Sequence, residues 1–168
     1  MNPVDLMSAN RKIHEKANFY RGLFLNRVAV IDSTISTMLA NYFCPTDKRK
    51  WQLLRSKALS NSIQRKKELL FEIVQKDYPD YWNDHKEHLE PLTEIIKFRN
   101  QLAHSMLDTS EDALKRPLAE GVGFLDWNNG SPVTDLYFDE FVVKTTMVLS
   151  CLSDITTLLP YIENPLRA

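Results

Sequence analysis

Glycine is nearly missing, at 4 positions in 168. So few leave no glycine-rich loop to cradle phosphates, which sets aside nucleotide hydrolysis of the common kinds. Cysteine is rarer still. Cys44 and Cys151 lie far apart without metal-ligand spacing, each in or beside an apolar helical pattern, so both read as reduced packing residues. No Gly-x-Ser-x-Gly elbow occurs and neither cysteine has a histidine near it in sequence, which argues against serine and cysteine nucleophiles. Proline is absent between Asn10 and Phe43 and between Pro45 and Tyr78, stretches that favour helix over sheet. No apolar run looks long enough to span a bilayer, and Met1-Asn-Pro-Val-Asp5 lacks the basic and apolar start of a signal peptide. The expectation is a cytoplasmic chain without a membrane partner. Internal repeats and low-complexity segments are also absent.

What remains is 43% hydrophobic and 26% charged, enough for one soluble globular domain over 1–168 with a buried core. The expected fold is all-α, a bundle of four to five helices with a small β-hairpin or ordered loop before the last. Between about Asn10 and Phe43, the positions Phe24, Val28, Ile31, Ile35, Met38 and Tyr42 recur at alternating spacings of four and three, the seam of one long helix. Leu23, Val30 and Leu39 should widen that seam. Pro45-Thr-Asp47 ends it and caps a second helix with Trp51, Leu54, Ala58 and Leu59 on its apolar side. Beyond Ser60-Asn-Ser62 a third helix runs to about Lys76 with Ile63, Leu69, Leu70, Ile73 and Val74 inward, until Asp77-Tyr-Pro-Asp-Tyr-Trp82 breaks it. A further helix begins near Asn83 or Asp84, carries Leu89, Leu92, Ile95, Ile96, Leu102 and Met106, and restarts or kinks at Pro91. Gly121–Trp127, Asn128-Asn-Gly130 and Val133–Tyr137 read as strand, turn and strand, an insertion over about 121–137 that could bring Trp127 or Tyr137 to the border of a cleft. The last helix, from about Asp135 to Ile162, carries Phe138, Phe141, Val142, Met147, Leu149, Cys151, Leu152, Ile155 and Leu159.

The formal net charge of −1 conceals a strong asymmetry. From Lys48 to Lys67 the bases Lys48, Arg49, Lys50, Arg55, Lys57, Arg65, Lys66 and Lys67 occur without one acid, whereas Asp108 to Glu140 is acidic apart from Lys115 and Arg116. A basic segment that includes Trp51 suits a nucleic-acid backbone with a ring for stacking; a solvated helix face is the plainer reading of the same run.

Chemistry concentrates in Arg99-Asn100-Gln101-Leu102-Ala103-His104, at the end of the helical run that starts at Pro91. The guanidinium is permanently charged and fits phosphate oxygens in a two-pronged way, while the imidazole exchanges a proton near neutrality. That is equipment for cleaving a phosphodiester without a metal. Asn100 and His104 share one helical face. Arg99 and His104 are roughly 140° apart around the axis and about 7.5 Å apart along it, so one copy aims them poorly at one phosphate. Two copies across a dimer would aim them better. Arg99 also falls between Ile95 and Leu102 on the apolar stripe, where a charge lies at an interface or is paired. The plainer alternative pairs Arg99 with a surface carboxylate and has His104 satisfy a helix-end carbonyl.

In this string the chain resembles the HEPN superfamily (higher eukaryotes and prokaryotes nucleotide-binding). Its members carry an Arg, usually a polar residue after it, and a His four to six residues beyond the Arg; here these are Arg99, Asn100 and His104. The resemblance implies an all-helical domain, a homodimer that brings two motifs together and, in active members, a metal-independent endoribonuclease of toxin-antitoxin and phage-defence systems. It further implies cyclic 2′,3′-phosphate and 5′-hydroxyl products, RNA as substrate, no cofactor, and in such systems a cognate antitoxin or defence partner. The rival expectation is a catalytically silent helical module that dimerises or binds a protein. His85 and His88, beside Asp84, Glu87 and Glu90, have the spacing of a metal-binding pair, but no second set of ligands completes a shell, so no metal site is expected.

Overall fold

A computed structural model describes residues 3–44, 46–55, 62–125 and 132–159. The fold is all-α. Among the described residues there are seven α-helices: α1 (Pro3–Phe43), α2 (Asp47–Arg55), α3 (Ile63–Asp77), α4 (Pro79–Leu89), α5 (Pro91–His104), α6 (Glu111–Lys115) and α7 (Asp135–Leu158), with a 3-10 turn at Leu118–Glu120. The chain forms two compact units, Met1–Arg27 with Lys97–Val143 and Val28–Ile96 with Lys144–Ala168. Helices α1, α5 and α7 each contribute residues to both.

In the first unit the core is aromatic. Tyr20 and Phe24 from α1, Phe98 from α5, Phe124, and Phe138 and Phe141 from α7 are all buried. Phe98 stacks on Phe141 at 4.1 Å and meets Phe24 edge-on at 4.6 Å. Each such side chain stabilises by about 1.5–3 kcal/mol through burial, with up to about 1.5 kcal/mol more from good ring geometry. Tyr20 stacks on Phe138 at 4.4 Å, and its hydroxyl donates to Asp135, the first residue of α7. Lys16 Nζ donates to the other Asp135 oxygen at 2.8 Å and to the Leu118 carbonyl at 2.8 Å, so one lysine ties α1 to both the 3-10 turn and α7.

In the second unit the core is aliphatic: Ile31, Ile35, Met38 and Leu39 of α1; Leu70, Ile73 and Val74 of α3; Leu89, Leu92 and Ile95; and Val148, Cys151, Leu152 and Ile155 of α7. Both cysteines are free and buried. Pro79 and Pro91 each open a helix, where a missing N–H costs nothing, so the helix expected to start near Asn83 is two helices, α4 and α5, separated at Glu90.

Several side chains face the other way from expectation. Leu23, Val30, Leu69 and Met147 are exposed, because a single buried seam on each helix leaves the neighbouring apolar positions in solvent, and Met106 is exposed beyond the end of α5, which stops at His104. On α1 that seam starts earlier, at Ile13, Ala17 and Tyr20, and Tyr42 at its far end is half-buried with its hydroxyl donating to Asp77. Over 121–137 no strand forms among the described residues. Val122 and Val133 make one antiparallel bridge, with N–H to O distances of 3.0 and 2.8 Å, and Leu107 and Phe124 another. The ladder stops there because Thr134 Oγ1 accepts from the Tyr137 amide at 3.1 Å, an N-cap that starts α7 at Asp135. Tyr137 is therefore helical, not in a strand, and packs on Phe98 and Phe141. Gly121, at φ 96°, is required here, since a Cβ would collide with the Val133 carbonyl oxygen. Trp127 and the Asn128-Asn-Gly130 turn lie outside the described residues, as do Lys57, Ala58, Leu59 and Ile162.

Two helices, α1 over Val4–Phe43 and α7, are long and apolar enough by length and composition to cross a membrane, contrary to the sequence expectation that no run was. Core helices pass the same test, and both of these supply buried residues to the two cores.

Candidate functional site

The motif ends α5. Phe98 and Leu102 are buried and hold the helix in the first unit, while Asn100, Ala103 and His104 are exposed and Arg99 is half-buried. Arg99 Nη1 donates to Asn100 Oδ1 at 3.0 Å. Asn100 shares a helical face with His104, so the guanidinium is bonded to a residue on the face that carries the imidazole. Among the described residues Arg99 has no ion pair and His104 no hydrogen bond. The pairing of Arg99 with a surface carboxylate is therefore not found there.

His104 does not cap the helix end, because Arg21 does. From α1 its Nε donates to the Leu102 carbonyl at 3.0 Å and its Nη2 to the Ser105 carbonyl, and the guanidinium lies 4.9 Å from the centre of the buried Phe124 ring. A cation meets the negative end of the helix dipole and the free carbonyls together. The backbone is pinned on both sides of His104: Ser105 N donates to Gln101 O at 2.8 Å, Leu125 N to Met106 O at 2.7 Å, and Asp108 N to Gly123 O at 2.9 Å. A solvent-facing imidazole thus sits on a fixed main chain, the arrangement that proton transfer needs. Sequence reading missed Arg21. Its one signal was position, a charge next to the buried Tyr20 of the α1 seam, and nothing local links it to residue 102.

The basic run divides in two. Lys66 and Lys67, expected to contact RNA, are 6% and 7% exposed. Lys66 Nζ bonds Asp32 Oδ1 at 2.7 Å and Ser36 Oγ at 2.9 Å, while Lys67 Nζ donates to Thr93 Oγ1 at 3.0 Å and lies 5.6 Å from the centre of the Phe71 ring. Both are corrected to structural residues. The signal was present, since Lys66, Leu70 and Val74 are successive i,i+4 positions on the buried stripe of α3. Lys48, Arg49, Arg55 and Arg65 are exposed, and Lys50 is half-buried and 3.6 Å from Asp47. These cations belong to the second unit and the motif to the first.

His85 is engaged structurally: its ring stacks on Tyr81 at 4.1 Å, and Nδ1 is 3.0 Å from the Tyr81 carbonyl. Among the described residues no three His, Cys, Asp or Glu side chains gather as a metal-ligand group. Compared with known proteins, the chain matches no family model, no curated protein and no solved structure.

Proposed function

We propose that the protein is a metal-independent endoribonuclease of HEPN type, in which Arg99, Asn100 and His104 act at a site shared across a homodimer. The observation that carries this reading is the Arg99–Asn100 bond on a helix end whose carbonyls Arg21 occupies, with His104 exposed and without a hydrogen bond among the described residues. In the reaction His104 removes the RNA 2′-hydroxyl proton, the 2′-oxygen attacks phosphorus, and the 5′-oxygen leaves with a proton from the second motif's imidazole. Arg99 stabilises the charge that builds on the phosphate oxygens, and Asn100 holds the guanidinium. Products carry a cyclic 2′,3′-phosphate and a 5′-hydroxyl. A toxin-antitoxin or phage-defence role, with a cognate antitoxin or defence partner, extends the same reading.

The test is incubation of purified protein with total RNA in EDTA, followed by analysis of the new ends. Cleavage leaving cyclic phosphates is the expected result, and intact RNA counts against the reading. A silent interaction module is the second reading. It draws on exposed apolar side chains such as Phe19, Leu136 and Val143, which suit a protein partner.

A further inference from the structure

Helix α2 is unusual in burying none of its residues. A nine-residue helix has little stability of its own in water, so an outward face of special composition asks what it serves. Lys48, Trp51, Gln52 and Arg55 lie within about 100° of one another around the axis, and all four are exposed. Leu53 and Leu54, both half-buried, occupy the opposite side. The outward face therefore presents cation, indole, amide and cation. Trp51 is 62% exposed, and the Arg55 guanidinium is 5.8 Å from the centre of its ring. Among the described residues neither Lys48 nor Arg55 has an ion pair.

We propose that this face of α2 binds single-stranded nucleic acid, with one base stacked on Trp51 and the flanking phosphates on Lys48 and Arg55. The two cations are about 10.5 Å apart along the helix with the ring between them, an aromatic platform inside a basic track. A duplex keeps its bases stacked on each other and cannot offer one to Trp51. A lipid surface fits less well. Insertion needs a broad apolar face with the cations around it, and here, among the described residues of α2, a single indole is the exposed apolar side chain. The inference goes beyond the cleavage reading, because binding at α2 does not require the chemistry at His104.

The test uses the full chain carrying His104→Ala, titrated with oligo(rU), with a hairpin duplex RNA and with anionic phosphatidylserine vesicles, while tryptophan fluorescence is followed. Oligo(rU) should quench the emission and bind more tightly than the duplex. Adding Trp51→Ala should weaken oligo(rU) binding at least about fivefold, the lower end of what one stacked base contributes. Adding Lys48→Glu with Arg55→Glu should flatten the log–log salt slope by about 1.4, two phosphate contacts at about 0.7 each. These side chains bury nothing, so circular dichroism and the melting temperature should stay as in the parent. Unchanged affinity and slope in these variants, equal affinity for duplex, or a response to vesicles but not to oligo(rU) overturns the proposal. Wild-type cleavage of total RNA, scored separately, decides the catalytic reading: binding without cleavage leaves α2 standing, and cleavage with an unaltered Trp51→Ala affinity removes α2 alone.

Discussion

At the scale of single residues, His104 and Arg99 are ordinary in type and unusual in setting. An exposed helix-end histidine commonly bonds a terminal carbonyl, yet here Arg21 occupies the Leu102 and Ser105 carbonyls and leaves the imidazole unbonded among the described residues. Arg21→Met should keep the packing on Phe124 but remove both bonds. Hydrogen bonds from a charged donor are each worth about 1.5–3 kcal/mol, so the variant should melt lower and exchange its amides faster around Ser105 to Leu107. Exchange confined to other segments would show that the cap does not hold the motif end. Arg99→Ala should keep the fold, since Arg99 is half-buried and bonds a side chain one position away. It should lower RNA cleavage by about 10² to 10³, the usual loss for one charge-stabilising donor, and a variant as active as wild type would remove Arg99 from the mechanism.

Among the helices, α2 and α3 carry one basic run to opposite fates. Lys66 fills a place on the α3 stripe and pairs with Asp32, whereas Lys48 on α2 faces water. Lys66→Glu puts a carboxylate at a buried position beside the part-exposed Asp32 and should cost about 1–3 kcal/mol in chemical denaturation. Lys48→Glu should shift the midpoint little, within about 0.5 kcal/mol; equal costs at the two positions would contradict the assignment of Lys66 to the core. The long helices were legible in the sequence because α1 keeps one seam at spacings of three and four and α7 is apolar along its length, while the buried seam of α7 runs through Thr145 and Val148 and leaves Val142, Met147 and Leu149 outside it. Charge obscured α3, where an ammonium on the buried stripe reads locally as a surface cation. The Val133–Tyr137 strand failed because the cap at Thr134 outweighed alternation, and α6 escaped notice because five residues from Glu111 give too little period. The candidate site was readable as residue types, while Arg21 was not, because its bonds cross 81 and 84 positions of chain.

Over the whole molecule, stability rests on ties between distant segments, and these carry a pH signature. Lys16 and Tyr20, bonding Asp135, hold its carboxyl below its ordinary value of 3.8. A depressed carboxyl stabilises the fold above its unfolded pKa, and that contribution is lost as pH falls through the folded value. Burial and the Asp135 bond raise the Tyr20 hydroxyl above its ordinary 10.0, so its contribution is complete below that pH and is lost as pH rises beyond it. Asp135→Asn should therefore flatten the acid limb of melting temperature below about pH 4. A limb as steep as in wild type would assign acid sensitivity to other groups. The proposed shared site requires two chains, so light scattering should report twice 19.5 kDa, and a monomer at micromolar concentration would tell against it. The most direct measurement compares wild type with His104→Ala on total RNA in EDTA. Wild type should cleave without metal and His104→Ala should be slower by about 10² to 10⁴, as expected for loss of a positioned acid–base group. RNA left intact by wild type, or cut equally fast by both proteins, would contradict the assignment of catalysis to this motif.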